Sequence, residues 1–219
     1  MKYLKLYENF NTTDDTLFIF DFDNTLADSP TFEEMAIEYL KEDVTIKSLL
    51  DRSVKYIGKS IKDLKWENGR LFIPDPTEEI QIKGNWVRKK GRIYLISPDR
   101  FYYTDMSLPK SLLKTAEIYK SVKNKAIVTG RIVTVKPKLE KNLKELGLKL
   151  PNWGLHCYPS TQETSDRVAA WKAKTIVELI KKSGFKKARF YEDKTKWLNK
   201  VKLEVSKLLP EVEFEGIKV

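Results

Sequence analysis

The sequence predicts an α/β protein, a central parallel sheet flanked by helices, with an inserted α+β module. Three observations lead there. The apolar run Leu17 to Phe20 has the unbroken hydrophobicity of a strand buried on both faces. From Leu108 onward, helix-period and strand-like segments alternate, as they must when each parallel strand is reached by a crossover over the sheet. Residues 31–105 interrupt that plan with helices and short strands of their own. The core is therefore expected from 1–30 and 106–219, with 31–105 as the insertion.

In chain order, residues 1–15 are a polar lead-in to a strand that ends at Asp21. Thr31-Phe32-Glu33-Glu34 has capping-box spacing and predicts a helix to about Lys41. A second helical pattern, Ile46, Leu49, Leu50, Val54 and Ile57, ends near Gly58. Short strands are expected at 70–73 and 80–82, separated by Pro74 and Pro76, and 86–96 reads as a hairpin with a Lys-Gly turn. In the C-terminal half, a helix from about 109 to 122 leads into strand 126–128. Thr134 then caps a helix that presents Leu139, Leu143 and Leu146 on one face and closes at Gly147. Strand 154–158, a helix from about 167 to 182, strand 188–191, a helix from about 195 to 209 and a last strand at 212–217 complete the alternation.

Composition narrows the class. The formal net charge is +10 over 219 residues, which favours an anionic substrate or partner. The excess lies in residues 106–219, with 25 basic side chains against 12 acidic, whereas 31–105 is nearly balanced at 14 against 13. A single cysteine, Cys157, excludes an intrachain disulfide; set in a strand, it reads as an inert buried thiol. No apolar run approaches the roughly 20 residues of a membrane span, and the first ten residues lack a signal-peptide core. A soluble, cytoplasmic protein without membrane partners is the expectation. The lone His156 lies in a strand away from the polar strand ends and is expected to be structural.

Those strand ends carry the chemistry. Asp21-Phe22-Asp23-Asn24-Thr25 delivers two carboxylates from the end of the first strand. Carboxylates that close repel one another unless a cation lies between them. Thr129-Gly130-Arg131 follows strand 126–128, and Glu192-Asp193 follows strand 188–191. Parallel strands point their carboxyl ends to one edge, so these groups are expected to converge. A lysine belongs with them. Lys172 and Lys174 differ by about 200° around a helix, and Ile176, Leu179 and Ile180 extend the stripe that begins at Lys172, which favours Lys172.

Asp21 to Thr25, Thr129, the lysine and Glu192-Asp193 together resemble the four motifs of the haloacid dehalogenase (HAD) superfamily, over about 145 residues. The resemblance implies a Rossmann-like core and a phosphatase that forms an aspartyl-phosphate. Asp21 would be the nucleophile and Asp23 the general acid and then base. Thr129 would hydrogen-bond the phosphoryl group, and Lys172 would neutralise phosphate and nucleophile. Mg²⁺ would be held by Asp21, the Asp23 carbonyl and Asp193, with Glu192 as an auxiliary. Asp23 matters within the superfamily, because members without an acid two positions after the nucleophile tend not to be simple phosphatases. Asn24 departs from the more frequent glycine, yet asparagine tolerates the positive φ of such a turn. Pro151-Asn152-Trp153, Trp171-Lys172 and Tyr191-Glu192-Asp193-Lys194 look more narrowly like the Swiss Army Knife RNA repair-like HAD family.

An insertion directly after the first motif is where HAD enzymes carry a C1-type cap that sets substrate choice. Between residues 80 and 104, six basic residues stand against one acid, with Trp86, Tyr94, Phe101, Tyr102 and Tyr103 among them. Arg88, Lys89, Lys90 and Arg92 are the candidates there for substrate contact, with Thr25, Gly130 and Arg131 at the motifs. Cations interleaved with aromatics suit phosphates and stacked bases. The expected substrate is accordingly a phosphomonoester, leaning to a nucleotide or nucleic-acid end. The alternatives are a phosphatase for a small phosphorylated metabolite, and an idle HAD-like module that binds nucleic acid or opposes a defence system.

Overall fold

A computed structural model describes residues 15–30, 65–67, 70–74, 86–89, 92–95, 108–159 and 165–219. The chain separates into two compact units, Met1–Asp28 with Pro109–Val219, and Ser29–Leu108.

The first unit is built on a five-stranded sheet whose order is β11-β10-β1-β8-β9, from β1 (Thr16–Phe20), β8 (Lys125–Ile132), β9 (Leu155–Tyr158), β10 (Lys187–Glu192) and β11 (Glu213–Lys218). All four pairings are parallel. The helices are α1 (Thr115–Ser121), α2 (Lys136–Glu145), α3 (Ser165–Ser183) and α4 (Thr195–Leu208). Alternation along β1 shows why its whole run is apolar. Leu17 and Ile19 enter a core with Ile176, Ile180, Val201 and Val205 from α3 and α4. Phe18 and Phe20 enter a second core with Ala116, Tyr119, Leu139 and Leu143 from α1 and α2. The strand is thus covered on both faces, and it is central because β10 and β8 flank it.

Three local readings change. The helix expected from 109 begins only at Thr115, because β7 (Ser111–Leu112) first pairs antiparallel with β2 (Ala27–Asp28), and the Leu113 amide donates to the Leu26 carbonyl at 2.9 Å. Thr134 does not cap a helix. It lies in a 3-10 turn, Val133–Val135, and α2 starts at Lys136 with Pro137 in its first turn, where a missing N–H costs nothing. The strand expected at 126–128 runs on to Ile132 through an irregularity. Thr129 pairs with Cys157 and Ile132 with Tyr158, so Gly130 and Arg131 are extra residues on β8. Gly147 and Gly184 do end α2 and α3 with φ of 73° and 72°.

In the second unit, β3 (Lys65–Glu67), β4 (Arg70–Pro74), β5 (Trp86–Lys89) and β6 (Arg92–Leu95) form an antiparallel sheet of order β3-β4-β6-β5. The expected hairpin is β5 with β6, register Lys89 to Arg92. Pro74 closes β4 rather than separating strands, and β3 has no counterpart in the sequence reading. The helices expected at 32–41 and 46–57, and the strand at 80–82, lie outside the described residues. Among the described residues, no helix is long and apolar enough to cross a membrane.

Candidate active site

The register explains the convergence. Phe20 is level with Tyr191 on one side and Ile127 on the other, so the residues that follow each strand, Asp21, Glu192-Asp193 and Thr129, reach the same edge. The Asp21 amide donates to the Tyr191 carbonyl at 2.9 Å, which carries the pairing past the strand end. The chain then turns tightly. The Phe22 carbonyl accepts from the Leu26 and Ala27 amides at 3.0 and 3.1 Å, and Asn24 takes the positive φ of 55°. Thr25 is wholly buried in this turn, and its hydroxyl oxygen has no hydrogen-bond partner among the described residues.

Lys172 reaches the same edge from α3. Its side chain is 0% exposed, and its Nζ stands 2.9 Å from Asp21 Oδ1 and 2.8 Å from Glu192 Oε2. Lys174 points away, 78% exposed, beside Glu178. Glu192 is fully engaged, for its Oε1 accepts the Lys194 amide at 3.0 Å. Burial first, and then the neighbouring Asp21 charge, push the Glu192 carboxyl up to about 9. Burial likewise raises Asp21, against the pull of Lys172. Burial pulls the Lys172 ammonium down, but Asp21 and Glu192 outweigh it, and the net shift is upward. The pocket is therefore short of positive charge.

One ligand atom each from Asp21, Glu192 and Asp193 lie within 4.8 Å of one another. Asp193 Oδ1 is buried with no hydrogen-bond partner among the described residues. An all-carboxylate oxygen set suits a hard divalent cation such as Mg²⁺, Mn²⁺ or Ca²⁺, and an orphaned buried oxygen has the character of a ligand waiting for one. The residues present fit such an ion, without singling out Mg²⁺. The Asp23 carboxylate is not in this cluster; the expectation there concerned its main-chain carbonyl.

Asp23 instead meets Arg131. The guanidinium Nε lies 3.0 Å from each Asp23 oxygen and one terminal nitrogen 2.7 Å from Oδ1, a forked pair in which the arginine is 3% and the aspartate 30% exposed. The β8 irregularity accounts for this, because extra residues re-aim the side chains they carry. Arg131 thus neither begins a helix nor stands open to a substrate phosphate. Its amide donates to Thr129 Oγ1 at 3.2 Å, leaving the buried threonine hydroxyl its own proton to donate. Gly130 serves packing: a Cβ there would come 3.2 Å from Val168 Cγ1 and 3.4 Å from Trp197 Cη2.

Arg88 and Lys89 in β5 and Arg92 in β6 belong to the second unit, and Lys90 lies outside the described residues. His156 Nε2 is 3.0 Å from the Trp153 carbonyl oxygen, a local structural contact. Cys157 is buried, and burial raises its thiol to about 11, so it stays protonated and unreactive at neutral pH. The sequence reading missed Trp197, whose indole lies over Lys172. Its only signal was an aromatic four residues after Asp193, between two lysines.

Comparison of the chain with protein-family models, with curated proteins and with solved structures finds no match.

Proposed function

We propose that this chain is a HAD-type phosphatase that hydrolyses a phosphomonoester through an aspartyl-phosphate on Asp21. The observation that supports it best is the wholly buried Lys172 set 2.9 Å from Asp21 Oδ1, at the edge that Asp193 and Thr129 also reach. A lysine there lets a dianionic phosphate approach a carboxylate, because it offsets the repulsion between them.

In the proposed cycle, an Asp21 oxygen attacks phosphorus and the leaving oxygen departs with a proton from Asp23. Asp23, now ionised, takes a proton from the water that attacks the acyl-phosphate; phosphate leaves and Asp21 is restored. Asp23 turns from Arg131 to do this, since both its oxygens face the guanidinium. The Thr129 hydroxyl donates to a phosphoryl oxygen, and Lys172 balances the charge gathered at Asp21. Mg²⁺, for which Asp21 and Asp193 with Glu192 beside them are the holders, would supply further positive charge to the phosphoryl oxygens when bound.

The net charge of +10 supports a polyanionic substrate, a nucleotide or nucleic-acid end, over a small phosphorylated metabolite. One observation favours a second reading, a nucleic-acid-binding module without turnover: the forked pair that occupies Asp23. The test is phosphate release with Mg²⁺ from nucleotides, 3′- and 5′-phosphorylated oligonucleotides and sugar phosphates. We expect release from one class, loss in EDTA, and a fall of at least about a thousandfold in Asp21→Asn, the usual cost of removing a nucleophile. Oligonucleotide binding with no release from any substrate would establish the second reading instead.

A further inference from the structure

We infer that Trp197 is a positioning residue for Lys172: its indole face closes the one side of the ammonium that the carboxylates leave open. An ammonium has three N–H donors and, when buried, needs a partner for each. Asp21 and Glu192 take two directions, at 2.9 and 2.8 Å. The Trp197 ring centroid lies 4.3 Å from the same Nζ, where the negative face of the ring attracts a cation. A leucine there would fill space but offer the ammonium nothing, and Lys172 could swing on its four-carbon stem away from Asp21.

The indole is itself held in place. Its Nε1 donates to Ser165 Oγ at 3.0 Å, at the start of α3, the helix that carries Lys172. The Trp197 amide donates to the Lys194 carbonyl at 3.0 Å, and Trp197 is 7% exposed. The benzo edge lies where a Cβ at Gly130 would come within 3.4 and 3.6 Å of it, so the glycine beside Thr129 is what lets the ring approach. The exposed Lys194 also lies over this ring, its Nζ 3.9 Å from the centroid. One ring thereby ties the α3 lysine, the segment after Asp193 and the Thr129 strand into a single unit.

The kinetic consequence rests on the phosphatase reading, so the experiment has one arm that needs no activity. In protein labelled with ¹³C at lysine Cε, Lys172 and Lys194 are expected to give two resonances shifted upfield by the ring current. Lys194→Gln identifies one by its loss. Both should return towards the ordinary lysine position in Trp197→Leu and persist in Trp197→Phe, which keeps an aromatic face. In the kinetic arm, Trp197→Leu should lower kcat about tenfold with KM within about threefold, and Trp197→Phe should recover most of it, the split expected when a group acts in the transition state. A purely structural role would have both variants lose activity only in step with folded fraction. If the leucine variant does not fold, Ser165→Ala takes its place; releasing the indole should then move the Lys172 resonance and lower kcat about threefold at constant KM. No ring-shifted Lys172 resonance, or equal kcat in the leucine and phenylalanine variants, would overturn the inference. A shifted resonance in a protein that hydrolyses no phosphomonoester would uphold the positioning and overturn the phosphatase reading alone.

Discussion

At the residue scale, the site is organised by a charge deficit. Asp21 and Glu192 are buried around one lysine, and the Glu192 carboxyl is pushed up to about 9 by burial and by Asp21, from an ordinary value of 4.5. Between those two values the folded chain holds a proton that the unfolded chain has lost. Stability contributed by that proton is complete below about pH 4.5 and is lost as pH rises through about 9. In EDTA, thermal melts should therefore show the midpoint falling between pH 5.5 and 8.5, by up to about 1.4 kcal/mol of stability per pH unit for one such group. Glu192→Gln should flatten that slope, as should a divalent cation that takes the proton's place. A midpoint that rises with pH in EDTA would show the carboxylates ionised and paired in the metal-free protein.

At the element scale, α3 does two jobs with one face. Lys172 and Ile176, Leu179 and Ile180 all lie on its buried side, so the packing that docks the helix against β1 and β8 also sets where the lysine emerges. Ile176→Ala should cost about 2–5 kcal/mol in chemical denaturation, the usual range for a large-to-small change in a close-packed core. Substitution of Lys174, exposed on the opposite face, should leave stability within about 0.5 kcal/mol. The α2 and α1 helices carry no motif residue; they cover the other face of β1, without which Phe18 and Phe20 would be exposed.

At the scale of the whole molecule, the question is which surface recognises a large anion. The β5–β6 hairpin, register Arg88 to Ile93 and Lys89 to Arg92, gathers basic residues at its turn. If these residues bind phosphates, replacing Arg88, Lys89, Lys90 and Arg92 by serine should weaken oligonucleotide binding and flatten its salt dependence, by about 0.7 to 0.9 of logarithmic slope for each phosphate no longer neutralised. Turnover of a small aryl phosphate should be spared, because remote groups position a long substrate without changing the chemistry at Asp21. An unchanged salt slope would assign the recognition to the more basic first unit, or to a small metabolite with no polyanion to recognise.

The sequence by itself determined the parallel α/β plan, the strand ends at which Asp21, Thr129 and Asp193 stand, and the choice of Lys172 over Lys174. Each follows from a local period or from the direction of a parallel strand, and both kinds of information are written in consecutive residues. Asn24 in its left-handed turn was legible for the same reason. The tertiary structure alone decided what depends on neighbours distant in the chain. It delayed α1 through the β2–β7 pairing, and it continued β8 past Thr129 because β9 offers Tyr158 to Ile132. It also turned Arg131 onto Asp23, 108 residues away in sequence, and brought Trp197 over Lys172. Such contacts are products of register and close packing, where a shift of one residue would send every side chain to the other face.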